Sequence, residues 1–219
     1  MIAKTLGYVI FIAFKGLLDQ KLLRDVYIMD TDSEPSEDPS TRLTPRFGRP
    51  VSTDGARVHR LVASCPPLDP NSLYCNLLQC SHFAATSVKV ESAGDGELVG
   101  FVSGYIPPAE NHVLFVWQVA VSEQARGMNL GVRMIRSILE RPECAAVNTV
   151  HTTITPDNAA SWGLFKKLAR ELGCDYHSSV LFSRNVHFGG AHDDEVLVAI
   201  GPFPSQAKAG HTAAVERAG

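Results

Sequence analysis

The residues best placed to do chemistry form one continuous run, Val119-Ala-Val-Ser-Glu-Gln-Ala-Arg-Gly-Met-Asn-Leu-Gly131. An apolar strand enters a glycine-bearing turn, and an amphipathic helix begins directly after it. The first N–H groups of a helix have no intrahelical partners, and the helix dipole favours negative charge there, so this arrangement can hold an anion. Gly127 and Gly131 allow close backbone approach or an unusual φ. The turn lacks the Gly-Lys-Ser/Thr of a P-loop and the G-x-G-x-x-G of a dinucleotide fingerprint. The glycines alone are equally compatible with an ordinary strand-to-helix turn.

Two other groups carry charge close to apolar segments. Asp69 stands in Leu68-Asp-Pro-Asn71, ahead of an apolar helix start, where a helix cap or a turn is the ordinary role. His192-Asp-Asp-Glu195 precedes the last strand and reads, by itself, as a solvated acidic loop. Trp117 lies in the most apolar strand, where it is either core or the wall of a pocket. His112, His151 and His177 are isolated, and no metal is expected. The five cysteines are odd in number and none are spaced C-x-x-C, which excludes a disulfide scaffold and a ribbon-type zinc site. Free thiols in a reducing cytoplasm are the expectation.

These residues need elements to position them. Asn71 to Phe83 carries Leu73, Leu77, Leu78 and Phe83 at helical spacing. Ala85 to Glu91 and Leu98 to Tyr105, joined across Gly94-Asp-Gly96, form a hairpin. Pro107-Pro108 ends it. Val113 to Val121 is apolar apart from Gln118 and is expected to be a strand buried on both faces. Gly131 to Glu140 is an amphipathic helix, and Val147 to Ile154 a β-branched strand. Pro156-Asp-Asn158 opens a helix that runs to Leu172 and stops at Gly173. Val180 to Ser183 and Glu195 to Ile200 are the last strands. The order predicts one α/β domain built on a mixed sheet flanked by helices.

The chain has 219 residues, 45% apolar and 20% charged, and can bury a sizeable core. Its net charge of −3 gives no footprint for a nucleic-acid partner. No apolar run reaches the ~18 residues of a membrane span, so no membrane partner is expected. Residues 6–14, flanked by Lys4 and Lys15, have the size of a signal-peptide core. No small-x-small cleavage site follows, and residues 30–41 are acidic and rich in Pro and Ser. The preferred reading of residues 1–45 is an over-long reading frame, with Met29 as the start, or a floppy extension. The organised domain is then residues 46–203, with a flexible tail at 204–219.

Gln124-x-x-Gly127-x-Asn129, between an apolar strand and a helix, resembles the pyrophosphate motif of the GNAT superfamily of acetyl-CoA-dependent N-acetyltransferases. The superfamily pattern has Gly or Ala where this chain has Asn129, a residue that tolerates positive φ. Thr155-Pro-Asp-Asn158 followed by Phe165 matches the place where the superfamily often has Asn and then a Tyr that protonates the leaving thiolate. Phe165 cannot do this; Tyr74 and Tyr105 are the alternatives. Leu68-Asp-Pro-Asn-Ser-Leu-Tyr-Cys75, Gly100-Phe-Val-Ser-Gly-Tyr105, Leu114-Phe-Val-Trp-Gln-Val-Ala-Val121, Thr152-Thr-Ile-Thr-Pro-Asp-Asn158 and Ile200-Gly-Pro-Phe203 are together similar to the L-2,4-diaminobutyrate acetyltransferases of ectoine biosynthesis.

The resemblance implies a GNAT-like fold with acetyl-CoA as co-substrate and a cytoplasmic homodimer. It implies a cofactor site of Gln118, Val119, Ala120, Val121, Arg126, Gly127, Met128, Asn129, Leu130, Gly131 and Asn158. The backbone of the strand at Val119 would polarise the thioester. Asp69, Trp117, His192 and Glu195 would hold the diamino acid, Glu195 being the best match of the three acids in its loop. Glu195, or a water chain to bulk solvent, would act as general base. The alternatives are a GNAT enzyme acting on another diamino acid or a polyamine, and a non-catalytic acyl-CoA-binding module.

Overall fold

The computed structural model describes residues 43–204, so the expected extension and tail fall almost entirely outside the described residues. Seven strands form one mixed sheet: β1 (Pro45–Gly48), β2 (Val88–Ser92), β3 (Leu98–Tyr105), β4 (Val113–Val121), β5 (Thr149–Ile154), β6 (Tyr176–Phe182) and β7 (Glu195–Ile200). Their spatial order is β1-β2-β3-β4-β5-β7-β6. Only β4 and β5 run parallel; every other pair is antiparallel. Helices α1 (Gly55–Ala63) and α2 (Leu73–Ser81) lie on one face, α3 (Leu130–Leu139) and α4 (Ala159–Leu172) on the other.

The two faces are unequal. On the α3/α4 side, Met134, Ile135 and Ile138 of α3 and Phe165 and Leu168 of α4 join Val90, Val102, Val150 and Ile200 of the sheet in one large core. On the α1/α2 side a smaller cluster joins Val58, Leu61, Val62 and Cys65 to Cys80, Phe101 and Ala120. Burying such side chains stabilises by roughly 1.5–3 kcal/mol each, so the larger cluster is the main anchor of the sheet.

β4 does not keep one face. Ser103 pairs with Gln118 and Gly104 with Val116, so Trp117 is an extra residue, a β-bulge. The bulge reverses the side-chain alternation. Leu114 and Val116 point into the α3/α4 core before it; after it, Val119 and Val121 pack there and Ala120 joins the other cluster. The expectation of a strand buried on both faces is therefore corrected: Trp117 is 44% exposed, its ring edge-on to Tyr105 with centroids 6.4 Å apart. Gly104 opposite the bulge has no room for a side chain, since a Cβ there would lie 2.9 Å from the Phe115 carbonyl oxygen.

The parallel pair is also short. β4 and β5 are in register only at Val113–Phe115 with Thr149–His151. Beyond that point β5 pairs only with β7, and residues 116–121 of β4 have no strand on that side. The sheet splits there, and the split opens toward the turn at 126–131.

Several elements depart from the sequence reading. α1 and β1 were not expected. The helix after Asn71 starts at Leu73, because Ser72 caps it by accepting the Cys75 N–H at 3.1 Å. β2 starts at Val88, since residues 84–86 form a 3-10 turn. β6 reaches back to Tyr176 through pairing with β7 rather than through any alternation of its own, for all of its residues are exposed. None of the five cysteines is paired; burial pushes the Cys80 thiol up to about 12 and the Cys144 thiol to about 11.

Candidate active site

A cavity of about 590 Å³ opens beside the split, a size that suits a small-molecule site. Four segments build it. The α1–α2 loop supplies Leu68, Asp69 and Asn71; β4 supplies Trp117 and Gln118; the β5–α4 turn and the β6–β7 loop supply Thr155, Asp157, Asn158, Arg184, His192, Asp193 and Glu195.

The α1–α2 loop is held from below. Asn71 has φ 57, and its N–H donates to the Asp69 carboxylate at 3.0 Å, an Asx turn that aims this acid. The buried Gln118 side chain completes the support. Its Nε2 donates to the Asp69 carbonyl at 2.7 Å and its Oε1 accepts from Asn71 Nδ2 at 3.3 Å. The turn role read for Asp69 is thus real, and it serves to point the carboxylate into the cavity. Gln118, expected at the cofactor through its backbone, also positions this loop with its side chain.

On the opposite wall His192 Nε2 lies 3.9 Å from Glu195 Oε1, and His192 Nδ1 lies 2.8 Å from the Asp193 carbonyl oxygen. The three acids of this loop differ in setting. Asp193 pairs with Arg184 at 2.6 Å, and Asp194 accepts the Arg184 N–H at 2.6 Å. Glu195 has only His192 near it among the described residues, and it lines the cavity. No Lys or Arg comes within ion-pair distance of Asp69 or Glu195 among the described residues.

The turn at 126–131 has two left-handed residues, Gly127 at φ 80 and Asn129 at φ 57, one on either side of Met128. Asn129 is the N-cap of α3, but its side chain turns away to Glu171 Oε1 at 3.1 Å. The first N–H groups of α3 therefore have no side-chain cap. A Cβ on Gly127 would meet nothing, so its constraint is conformational. A Cβ on Gly131 would collide with the Leu164 side chain, so its constraint is the packing of α3 on α4.

Asn158 lines the cavity and caps α4, accepting the Ser161 N–H at 3.1 Å. Phe165 is 4% exposed and sits in the α3/α4 core, away from the cavity. Tyr105 lies against Trp117, and burial pushes its phenol up. Tyr74 is 70% exposed. The sequence reading missed Arg184 and Asp157 in the cavity wall. Nothing along the chain marks Arg184, and Asp157 stands in the helix-opening Pro156-Asp-Asn158, where only Asn158 had a site role, because the β6–β7 loop and the β5–α4 turn meet only in the fold. Among the described residues no group of His, Cys, Asp or Glu is arranged to hold a metal, and no helix is long and apolar enough to cross a membrane.

An anion turn, a parallel pair that splits beside it and an acidic cavity at the split define a fold class, the GNAT acetyltransferases. The profile of the Acetyltransferase (GNAT) family matches residues 63–169. The L-2,4-diaminobutyric acid acetyltransferase of Methylotuvimicrobium alcaliphilum is 54% identical over 157 residues, covering 72% of this chain and 90% of that protein. The protein of the same name from Halalkalibacterium halodurans is 35% identical over 185 residues, covering 84% of this chain and 96% of that one. The solved diaminobutyrate acetyltransferase of Paenibacillus lautus, in complex with its substrate L-2,4-diaminobutyric acid and coenzyme A, superposes with a TM-score of 0.70 at 33% identity. It covers 75% of this chain and 98% of that one. This chain belongs to the L-2,4-diaminobutyric acid acetyltransferase family.

Proposed function

We propose that this protein transfers the acetyl group of acetyl-CoA to the γ-amino group of L-2,4-diaminobutyrate, giving N-γ-acetyl-diaminobutyrate and CoA, the acetylation step of ectoine biosynthesis. The observation that carries the reading is the acidic cavity, with Asp69 and Glu195 unpaired by any Lys or Arg among the described residues, at the end of the β4–β5 split that leads to the turn at 126–131.

Each part of the chain then has a task. The turn Arg126–Gly131 holds the pyrophosphate on the N-terminal N–H groups of α3. The edge of β4 from Gln118 to Val121 hydrogen-bonds the pantetheine arm as an added strand, and a backbone N–H at Val119 polarises the thioester carbonyl. Asn158 lies along the same arm. Asp69 and His192 orient the diamino acid, and Trp117 walls the amine. Glu195 accepts the proton that the ammonium must lose before attack. Holding amine and thioester together supplies several kcal/mol of the barrier reduction.

We further infer a catalytic unit spanning residues 46–203 and a cytoplasmic homodimer. Supporting self-association, the edge strand β6 and the loop after it expose Val180, Leu181, Phe182 and Val186, an apolar edge that a monomer would ordinarily protect with charge. Light scattering on the purified protein measures this; a monomeric mass counts against it.

The test of function is thiol release from acetyl-CoA with L-2,4-diaminobutyrate, ornithine and lysine in parallel, with mass spectrometry of the products. The expected outcome is the highest kcat/KM with diaminobutyrate and a single γ-acetyl product. Release with another amine alone would replace the substrate and keep the reaction class.

A further inference from the structure

Asp69, Asp157, Asp193 and Glu195 line the cavity, and Arg184 is the only Lys or Arg in its wall among the described residues. The carboxylates suit the two ammonium groups of a diamino acid. They repel its α-carboxylate from most of the wall. We propose that Arg184 recognises that α-carboxylate, and so sets the preference for a diamino acid over the corresponding diamine. The proposal rests on the substrate reading above.

The geometry of Arg184 fits such a task. The residue is tethered at its backbone, its N–H donating to Asp194 Oδ1 at 2.6 Å and its carbonyl accepting the Gly190 N–H at 2.9 Å. Its Nη1 donates to Asp193 Oδ1 at 2.6 Å. A guanidinium has five donors in a rigid fork, and the bonds within the chain use one of its nitrogens. The remaining edge can take a carboxylate in the two-point geometry that a lysine cannot supply. Its side chain is 54% exposed, so a ligand can reach it. Asp193 then acts as the positioning residue, fixing one arm of the fork while the other stays available.

A purely structural role is the competing account: Arg184 and Asp193 would only brace the β6–β7 loop, which also carries His192 and Glu195. The two accounts part on a substrate without a carboxylate. 1,3-Diaminopropane is diaminobutyrate with the carboxylate replaced by hydrogen. A brace supports the site for both amines alike; a carboxylate contact matters for one.

The experiment measures kcat/KM for L-2,4-diaminobutyrate and for 1,3-diaminopropane with the full chain, as wild type, R184Q and R184K. The wild type should prefer the amino acid. R184Q should lower kcat/KM for diaminobutyrate about 10- to 100-fold, mainly through KM, the range of a hydrogen bond to a charged group. The value for diaminopropane should change by less than about threefold, and R184K should recover part of the preference. Equal losses on both amines would overturn the proposal in favour of the brace. A wild type that takes both amines equally well would overturn it while leaving the N-acetyltransferase reading in place. Thiol release with neither amine would overturn both together.

Discussion

Asp54 and Glu91, beside β1 and β2, and Asp69 and Glu195, at the β4–β5 split, are the same two residue types in opposite settings. Asp54 is 4% exposed and is met by Lys89 at 2.8 Å and Arg57 at 3.3 Å. Glu91 is met by Arg57 at 2.7 Å and Arg46 at 2.9 Å. There every carboxylate has more than one cation, all supplied by the chain itself. In the cavity the balance is reversed, with four carboxylates to one guanidinium. The settings differ in water as well: Asp54 is buried, whereas Asp69, Asp157 and Asp193 are exposed and Glu195 is half-buried, so solvent tolerates the cavity acids without chain cations and leaves them open to a cationic ligand. The first cluster holds the sheet together; the second is the one proposed above to hold the diamino acid.

The comparison breaks first on activity. Asp69→Asn and Glu195→Gln should lower kcat/KM for diaminobutyrate about 100-fold or more, the cost of removing one side of a close charge pair. Their melting temperatures should stay put or rise slightly, because a repelling charge has gone. Steady-state kinetics beside thermal melts check this, and a fall in stability matching the fall in activity would merge the two clusters into one kind.

Asp54→Asn should do the reverse. Lys89 and Arg57 lose a shared partner, and unfolding free energy should fall by about 3 kcal/mol. The protein that remains folded should turn over normally, as urea titration and activity per folded molecule will show. A lost kcat with intact stability would place Asp54 in the site instead.

Acid sharpens the contrast by a smaller amount. The hydrogen bond from Arg57, against the opposing effect of burial, brings the Glu91 carboxyl down from its usual 4.5 to about 2. A carboxylate with a depressed folded pKa contributes stability that is fully present above its unfolded pKa and is lost as pH falls through the folded one. Between roughly pH 4.5 and pH 2 the wild type should therefore lose about 2 kcal/mol more than Glu91→Gln does. Parallel denaturation curves for the two proteins across that range would show it.

Much of this was legible in the sequence where local pattern and final structure coincide. The α4 boundaries follow from Asn158 and Gly173, both of which do at the helix ends what such residues ordinarily do. The left-handed turn at 126–131 could be read because its glycine and asparagine announce that backbone. α1 was missed although Val58, Leu61, Val62 and Cys65 carry helical spacing, because Arg57, His59 and Arg60 dilute the pattern, and Asp54, a common cap type at its start, spends its carboxylate on Lys89, Arg57 and the Val51 N–H rather than on a cap. The Trp117 bulge was out of reach: nine nearly apolar residues read as one uniform strand, and a shift of register is a property of two strands together. Asp69, His192 and Glu195 were named through family resemblance, and the fold brings them to one cavity. Arg184 had neither a pattern nor a resemblance to point to it.

The bulge at Trp117 also sets what kinds of sequence change β4 can absorb. The strand is two half-strands joined out of phase, one keyed to packing and one to the site. Substitutions alter one tooth of this gear at a time. Deleting Trp117 would leave Val116 and Gln118 opposite the adjacent Gly104 and Ser103 in simple alternation, with Val119 and Val121 still on the α3/α4 core and Gln118 and Ala120 still on the other face, whereas deleting Val119 would turn Ala120 toward that core and Val121 away from it. The extra residue therefore costs the ladder nothing on either side of it and does one thing, standing Trp117 out of the strand at the cavity wall.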